Sequence, residues 1–182
     1  VLELGGNAAV IVHQAKDIQA VAQRIAFGAC ASAGQSCISV QRIFIHRDQL
    51  QWRDALIDAF QQVRSGDPWD EATVNGPVIE GGAKRRIEEL LERYRSQGGR
   101  FLTGGTWSGL ILQPTLIDGL DPRIPEIRDT EAFAPLATLH QYDSIDEAIA
   151  LVDDTPFGLQ AGLFSGDAEV VRRVFSELSV GG

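Results

Sequence analysis

Short apolar runs of strand character alternate with apolar faces of helical spacing along the whole chain, and that alternation constrains the fold more than any other feature. Ala8-Ala9-Val10-Ile11-Val12-His13 reads as a strand. Asp17 then stands at an N-cap position, before Ile18, Val21, Ala22, Ile25 and Ala29 on one helical face. Residues 42–46 form the next strand. Asp48 is expected to cap a second helix carrying Trp52, Leu56, Phe60 and Val63, with Gly66-Asp67-Pro68 ending it. Ile87, Leu90, Leu91 and Tyr94 line a third helix that Gly98-Gly99 stops. Residues 136–140, a helix behind Ser144, a strand over 159–164 and a helix over 167–178 continue the series. Such alternation predicts an α/β fold, an open, mostly parallel sheet with helices on both faces. Residues 98–135 carry the densest turn signals and are expected to form loops or an antiparallel excursion.

The 182 residues suffice for one domain with a real core and are too few for two ordinary ones. Sixteen basic against 25 acidic side chains give a net charge of -9, which disfavours nucleic acid and anionic membranes as partners. No apolar run approaches the roughly 20 residues of a membrane helix, and no leader-like segment opens the chain. Two cysteines, Cys30 and Cys37, make no disulfide framework and point to a reducing, cytoplasmic setting. The chain contains no methionine and opens inside a strand-like run, so it is expected to be an excised piece of a longer protein or an incomplete full chain.

Gly34-Gln35-Ser36-Cys37 sets a thiol in a glycine-bearing turn. A thiol attacks as its thiolate, so a nucleophilic cysteine needs a base or a polar, accessible setting. From chemistry alone Cys37 reads equally as a small buried hydrophobe or as a nucleophile. Cys30, among Ala29, Ala31 and Ser32, reads as packing. Glu3 lies between Leu2 and Leu4, either facing water or held partly desolvated as a general base. Glu131 and Phe133, before Pro135, read by default as a solvated acid and a core aromatic, and Gly5-Gly6 as a turn. No glycine-rich phosphate loop is present. His13, His46 and His140 lack ligand spacing, so no metal is expected.

In order along the chain, Leu2-Glu3-Leu4-Gly5-Gly6-Asn7 and Gly34-Gln35-Ser36-Cys37 resemble the glutamate and cysteine motifs of the aldehyde dehydrogenase superfamily. Gly66-Asp67-Pro68, Asn75-Gly76-Pro77-Val78-Ile79, Gln113-Pro114-Thr115-Leu116, Glu131-Ala132-Phe133-Ala134-Pro135 and Thr155-Pro156-Phe157-Gly158-Leu159 follow in family order. The resemblance spans essentially residues 1–182, as a catalytic domain of that family, with cofactor-binding and oligomerisation segments absent. Asn7, Thr130 and Ala134 depart from residues common in the family.

The resemblance implies a nucleophile at Cys37 and a water-activating base at Glu3. It further implies NAD or NADP as cofactor, with Glu131 toward the nicotinamide ribose, Phe133 near the nicotinamide, and Gly5 and Gly6 allowing its close approach. Ser36, Ile38 and Ser39 would line the substrate tunnel beside Ala33. A backbone N–H of Cys37 would be one oxyanion donor. The implied substrate is a small aldehyde, the implied product a carboxylic acid, and the implied parent a homo-oligomer, dimer or tetramer. The stretches 38–42 and 6–9 look most like the lactaldehyde and non-phosphorylating glyceraldehyde-phosphate dehydrogenase branch. For the chain by itself, a non-catalytic folded module and a thiol esterase are the alternatives.

Overall fold

The structure is a computed structural model that describes residues 4–182. Glu3 lies outside the described residues. The sheet has six strands, β1 (Ala8–His13), β2 (Val40–His46), β3 (Arg100–Thr103), β6 (Thr115–Asp118), β7 (Leu136–Tyr142) and β8 (Ala161–Ser165), in the order β3-β6-β7-β2-β1-β8. All neighbours pair parallel except β3, which runs antiparallel to β6. A two-stranded hairpin, β4 (Trp107–Ser108) with β5 (Ile111–Leu112), completes the excursion expected over 98–135.

Side chains alternate across a strand, so β1 and β2 bury both faces. Val10, Val12, Ile43 and Ile45 point to α1 (Ile18–Cys30) and α2 (Gln51–Gln62), where Ala22, Ile25, Trp52, Leu56 and Phe60 meet them. Ala9, Ile11 and Phe44 point the other way, onto α5 (Ile145–Asp153) and α6 (Ala168–Glu177). A third cluster sets Ile87, Leu90, Leu91 and Tyr94 of α3 (Gly81–Ser96) over Ile117 and Leu136, beside the short α4 (Pro125–Arg128). Helices therefore cover both faces.

Asp17 caps α1 by accepting from the Ala20 N–H at 3.0 Å, and Ser144 caps α5 by accepting from the Glu147 N–H at 3.2 Å. Asp48 does not cap α2. That helix starts behind Leu50, which has no capping side chain, while the Asp48 N–H turns back to His46 Nδ1 at 3.2 Å. Nor does α2 reach Gly66-Asp67-Pro68. It ends at Gln62, because the chain leaves it to pair with the next loop, the Arg64 carbonyl accepting from Val74 and Asn75. β8 begins two residues later than the apolar run at 159, because Gly158 and Ala161 bond instead to Gly181 and Gly182.

His140 is a titratable group buried within β7. Its Nε2 lies 2.8 Å from the Thr138 hydroxyl, and its ring packs on Phe44. Burial, and next the Arg42 charge, push its pKa down from 6.5 to about 4. The neutral ring is thus favoured in the folded state. The unfolded chain binds this proton below about pH 6.5, so stability is expected to fall by up to about 3 kcal/mol between pH 6.5 and 4. Urea midpoints across that window, compared with His140→Gln, check it: the variant should lose that part of the pH slope.

Candidate active site

Because β7, β2, β1 and β8 are adjacent and parallel, the segments leading into them emerge on one edge of the sheet. Those segments are 129–135, 35–39, 4–7 and 154–160, which contain most of the motif residues singled out above. The edge is the N-terminal one, opposite to where open α/β sheets usually bind ligands.

The approach to Cys37 is a left-handed turn. Ser32, Ala33 and Gly34 have φ of 54°, 57° and 62° in succession. Left-handed backbone costs about 1–2 kcal/mol for each non-glycine residue, so tertiary contacts must hold this turn. Ala33 is buried under α3, and Gln35 Oε1 accepts from the Ile79 N–H at 2.9 Å. The turn after it closes through Ser39 N–H to the Ser36 carbonyl at 3.0 Å. Cys37 sits at its crest, half-buried, and among the described residues its backbone N–H donates no hydrogen bond. Cys30 is fully buried at the end of α1, and burial pushes its thiol pKa well up. Both cysteines are free, and only Cys37 meets solvent.

Two segments close on this turn with no room for a side chain. A Cβ on Gly6 would lie 1.8 Å from the Cys37 carbonyl oxygen, and one on Gly34 would lie 2.0 Å from that of Ala134. Glu131 reaches across to the same place, its Oε1 accepting from the Gly6 N–H at 2.8 Å. Its Oε2 and the Phe157 ring flank Gly5, where a Cβ would stand 3.1 and 3.3 Å from them. The structure thus gathers Cys37, Gly5, Gly6 and Glu131. Phe133 belongs to the same loop with φ of 49° and its carbonyl toward Arg86. Among the described residues no group of acids, cysteines and histidines could hold a metal ion.

This cluster is supported by residues with no chemical role in the motifs, Gln41, Arg42 and Asn7. Gln41 donates to the Gly6 carbonyl at 3.0 Å and accepts from the Ala132 N–H at 2.6 Å, tying the glycine segment to the Glu131 loop. Arg42, 2 % exposed, donates to the Asn7 carbonyl and to Leu151 and Val152 at the end of α5. Burial lowers its pKa to about 10, while Asp154 and Asp153 act to raise it. Asn7 in turn donates to the Ile127 and Arg128 carbonyls at 2.6 and 3.1 Å. The signal was available: Gln41 and Arg42 are adjacent polar residues inside a strand buried on both faces, where an unpaired polar group is costly.

Ser36, Ile38 and Ser39 line one wall of a cleft of about 350 Å³ that α1 closes on the other side. Among the described residues no helix is long and apolar enough to cross a membrane.

The chain matches the sequence model of the aldehyde dehydrogenase family over residues 1–182. It is 34% identical over 181 residues to a sulfoacetaldehyde dehydrogenase of Neptuniibacter caesariensis, covering 99% of this chain and 40% of that protein. It is 36% identical over 182 residues to a 3-sulfolactaldehyde dehydrogenase of Priestia megaterium, covering 100% of this chain and 38% of that protein. Aldehyde dehydrogenase 21 of Physcomitrella patens, solved with the reaction product succinate, superposes with a TM-score of 0.93 at 32% identity, over 99% of this chain and 38% of that one. An indole-3-acetaldehyde dehydrogenase solved with NAD+ superposes at 0.94 with 25% identity, over 98% of this chain and 37% of that one. The chain spans about two fifths of the length of these relatives. It belongs to the aldehyde dehydrogenase family.

Proposed function

We propose that this chain is the catalytic domain of an NAD(P)-dependent aldehyde dehydrogenase, with Cys37 as nucleophile and Glu3 as the base that serves it. One observation carries the reading: Gly6 packs against the Cys37 carbonyl while Glu131 binds the Gly6 N–H, so three separate motifs meet at the half-buried Cys37. The Cys37 thiolate adds to the aldehyde carbon, forming a C–S bond and placing the carbonyl pair on oxygen. The Cys37 N–H, which no described acceptor engages, donates to that oxyanion. A fixed donor of this kind contributes about 3 kcal/mol to the transition state.

The residues present fit a nicotinamide dinucleotide. Glu131 keeps one oxygen on Gly6, the other faces side-chain-free Gly5, and Phe133 follows in the same loop. A nicotinamide held there would supply the acceptor for the hydride, and its two electrons, that the thiohemiacetal carbon on Cys37 must lose. The thioester left on Cys37 is then hydrolysed by a water that gives its proton to Glu3. The carboxylic acid departs and the thiolate returns. The substrate is a small aldehyde; relatives are named for sulfoacetaldehyde and for vanillin. The protein is proposed to work in the cytoplasm as a homo-oligomer, dimer or tetramer.

Mild iodoacetamide labelling tests the nucleophile. Cys37 is expected to alkylate faster than the same cysteine in urea-denatured protein, while Cys30 stays unlabelled until unfolding. Equal rates for native and denatured Cys37 would refute an activated thiol. The full-length protein should reduce NAD+ or NADP+ with short aldehydes. This chain alone holds the thiol, so p-nitrophenyl ester cleavage, which needs no nicotinamide, reports whether the domain acts by itself.

A further inference from the structure

We propose that Arg24 makes the cleft beside Cys37 selective for aldehydes that carry an anionic group away from the carbonyl. The proposal rests on Cys37 being the nucleophile and adds the chemical class of its substrate.

One wall of the cleft is formed by Ser36 and Ile38, the two chain neighbours of Cys37, with Ser39; the facing wall is α1, through Phe27 and Arg24. Arg24 is the one charged side chain on the lining. Its guanidinium lies 5.7 Å from the Phe27 ring centroid, and among the described residues it joins no ion pair. The placement follows from Gly28, where a Cβ would touch Val40 at 3.2 Å. There α1 meets the chain three residues beyond Cys37. Arg24 stands one helical turn away, about 6 Å along the axis. Phe27 and Ile38 are each about half exposed, 46% and 49%, and give the cleft apolar flanks. Apolar flanks around a single cation focus its field on what enters. A short chain with its aldehyde carbon at Cys37 would set a carboxylate, sulfonate or phosphate toward Arg24.

Alkylation by two reagents differing in charge tests this on the full-length protein. The thiolate displaces iodide from either iodoacetate or iodoacetamide, forming the same S–C bond. The ratio of the two rate constants at Cys37, divided by the same ratio for glutathione, reads the charge preference. Wild type should favour iodoacetate. Arg24→Gln should lower the normalised ratio about threefold and Arg24→Glu about tenfold, with 0.5 M salt flattening the difference. Arg24→Lys should retain the preference. In turnover, the same variants should lose kcat/KM on anionic aldehydes relative to neutral ones of equal length. A normalised ratio that Arg24→Gln leaves unchanged overturns this proposal alone. A Cys37 that reacts with neither reagent overturns the nucleophile reading and takes this proposal with it.

Discussion

Cys37→Ala in the full-length protein is expected to lower aldehyde oxidation by at least about 10⁴-fold, the scale seen when a covalent nucleophile is removed. The substitution takes away one half-buried sulfur from a turn whose shape is set elsewhere. Folding stability should therefore move by less than about 1 kcal/mol. Ester cleavage by this chain should vanish in the same variant, because acyl transfer needs the thiolate and nothing from the nicotinamide. Cys30→Ala is the internal comparison. That thiol is wholly enclosed at the end of α1 and held protonated by burial. Its loss should cost about 1–2 kcal/mol through the void it leaves, with turnover retained. Steady-state NAD(P)H formation and urea unfolding of both variants separate chemistry from packing. Residual oxidation above a thousandth of wild type in Cys37→Ala would move the nucleophile elsewhere.

The strand and helix series was legible because each element carries its own period. Val10 and Val12 against Ala9 and Ile11 already divide the two faces that the sheet buries. Asp17 and Ser144 announced their helices through short-range hydrogen bonds, which depend on neighbouring residues alone. Asp48 misled because α2 begins at Gln51 behind Leu50, two residues later than a cap at Asp48 requires, so its carboxylate is out of register with the first-turn N–H groups. The end of α2 misled because the pull on Arg64 comes from residues 74–75, about ten positions away. The same distinction runs through the site. Cys37 and Glu131 stood out as chemistry in recognisable motifs. Gln41 and Arg42 did not, since their partners lie 35 to 110 positions off. The left-handed run at Ser32 and Ala33 was also hidden, because neither residue type favours that backbone and only the contacts around it impose it.

Gly34→Ala is expected to cost more stability than any other single glycine substitution at the site, above about 3 kcal/mol. Two penalties coincide there. Its φ of 62° is left-handed, which taxes any L side chain by about 1–2 kcal/mol. Its Cβ would also lie 2.0 Å from the Ala134 oxygen, 2.2 Å from its carbon and 2.6 Å from the Pro135 nitrogen. Those atoms are backbone, and Ala134 is fully buried, so no rotamer change relieves them. Two further glycines separate the contributions. Gly98 is left-handed with φ of 88° but has nothing within 4 Å of a new Cβ, so Gly98→Ala should cost about 1 kcal/mol. Gly6 lies outside the left-handed region yet would place its Cβ 1.8 Å from the Cys37 oxygen, so Gly6→Ala should cost the clash alone. Both clashing variants push the Cys37 turn away from a neighbouring motif. Iodoacetamide labelling of Cys37 should therefore slow in Gly6→Ala and Gly34→Ala and stay as wild type in Gly98→Ala. Urea midpoints ranked Gly34→Ala, then Gly6→Ala, then Gly98→Ala from least to most stable are the expected order. A Gly34→Ala protein as stable as Gly98→Ala would mean that the cysteine turn and the Glu131 loop do not pack backbone to backbone, and the convergence of motifs at Cys37 would lose its structural basis.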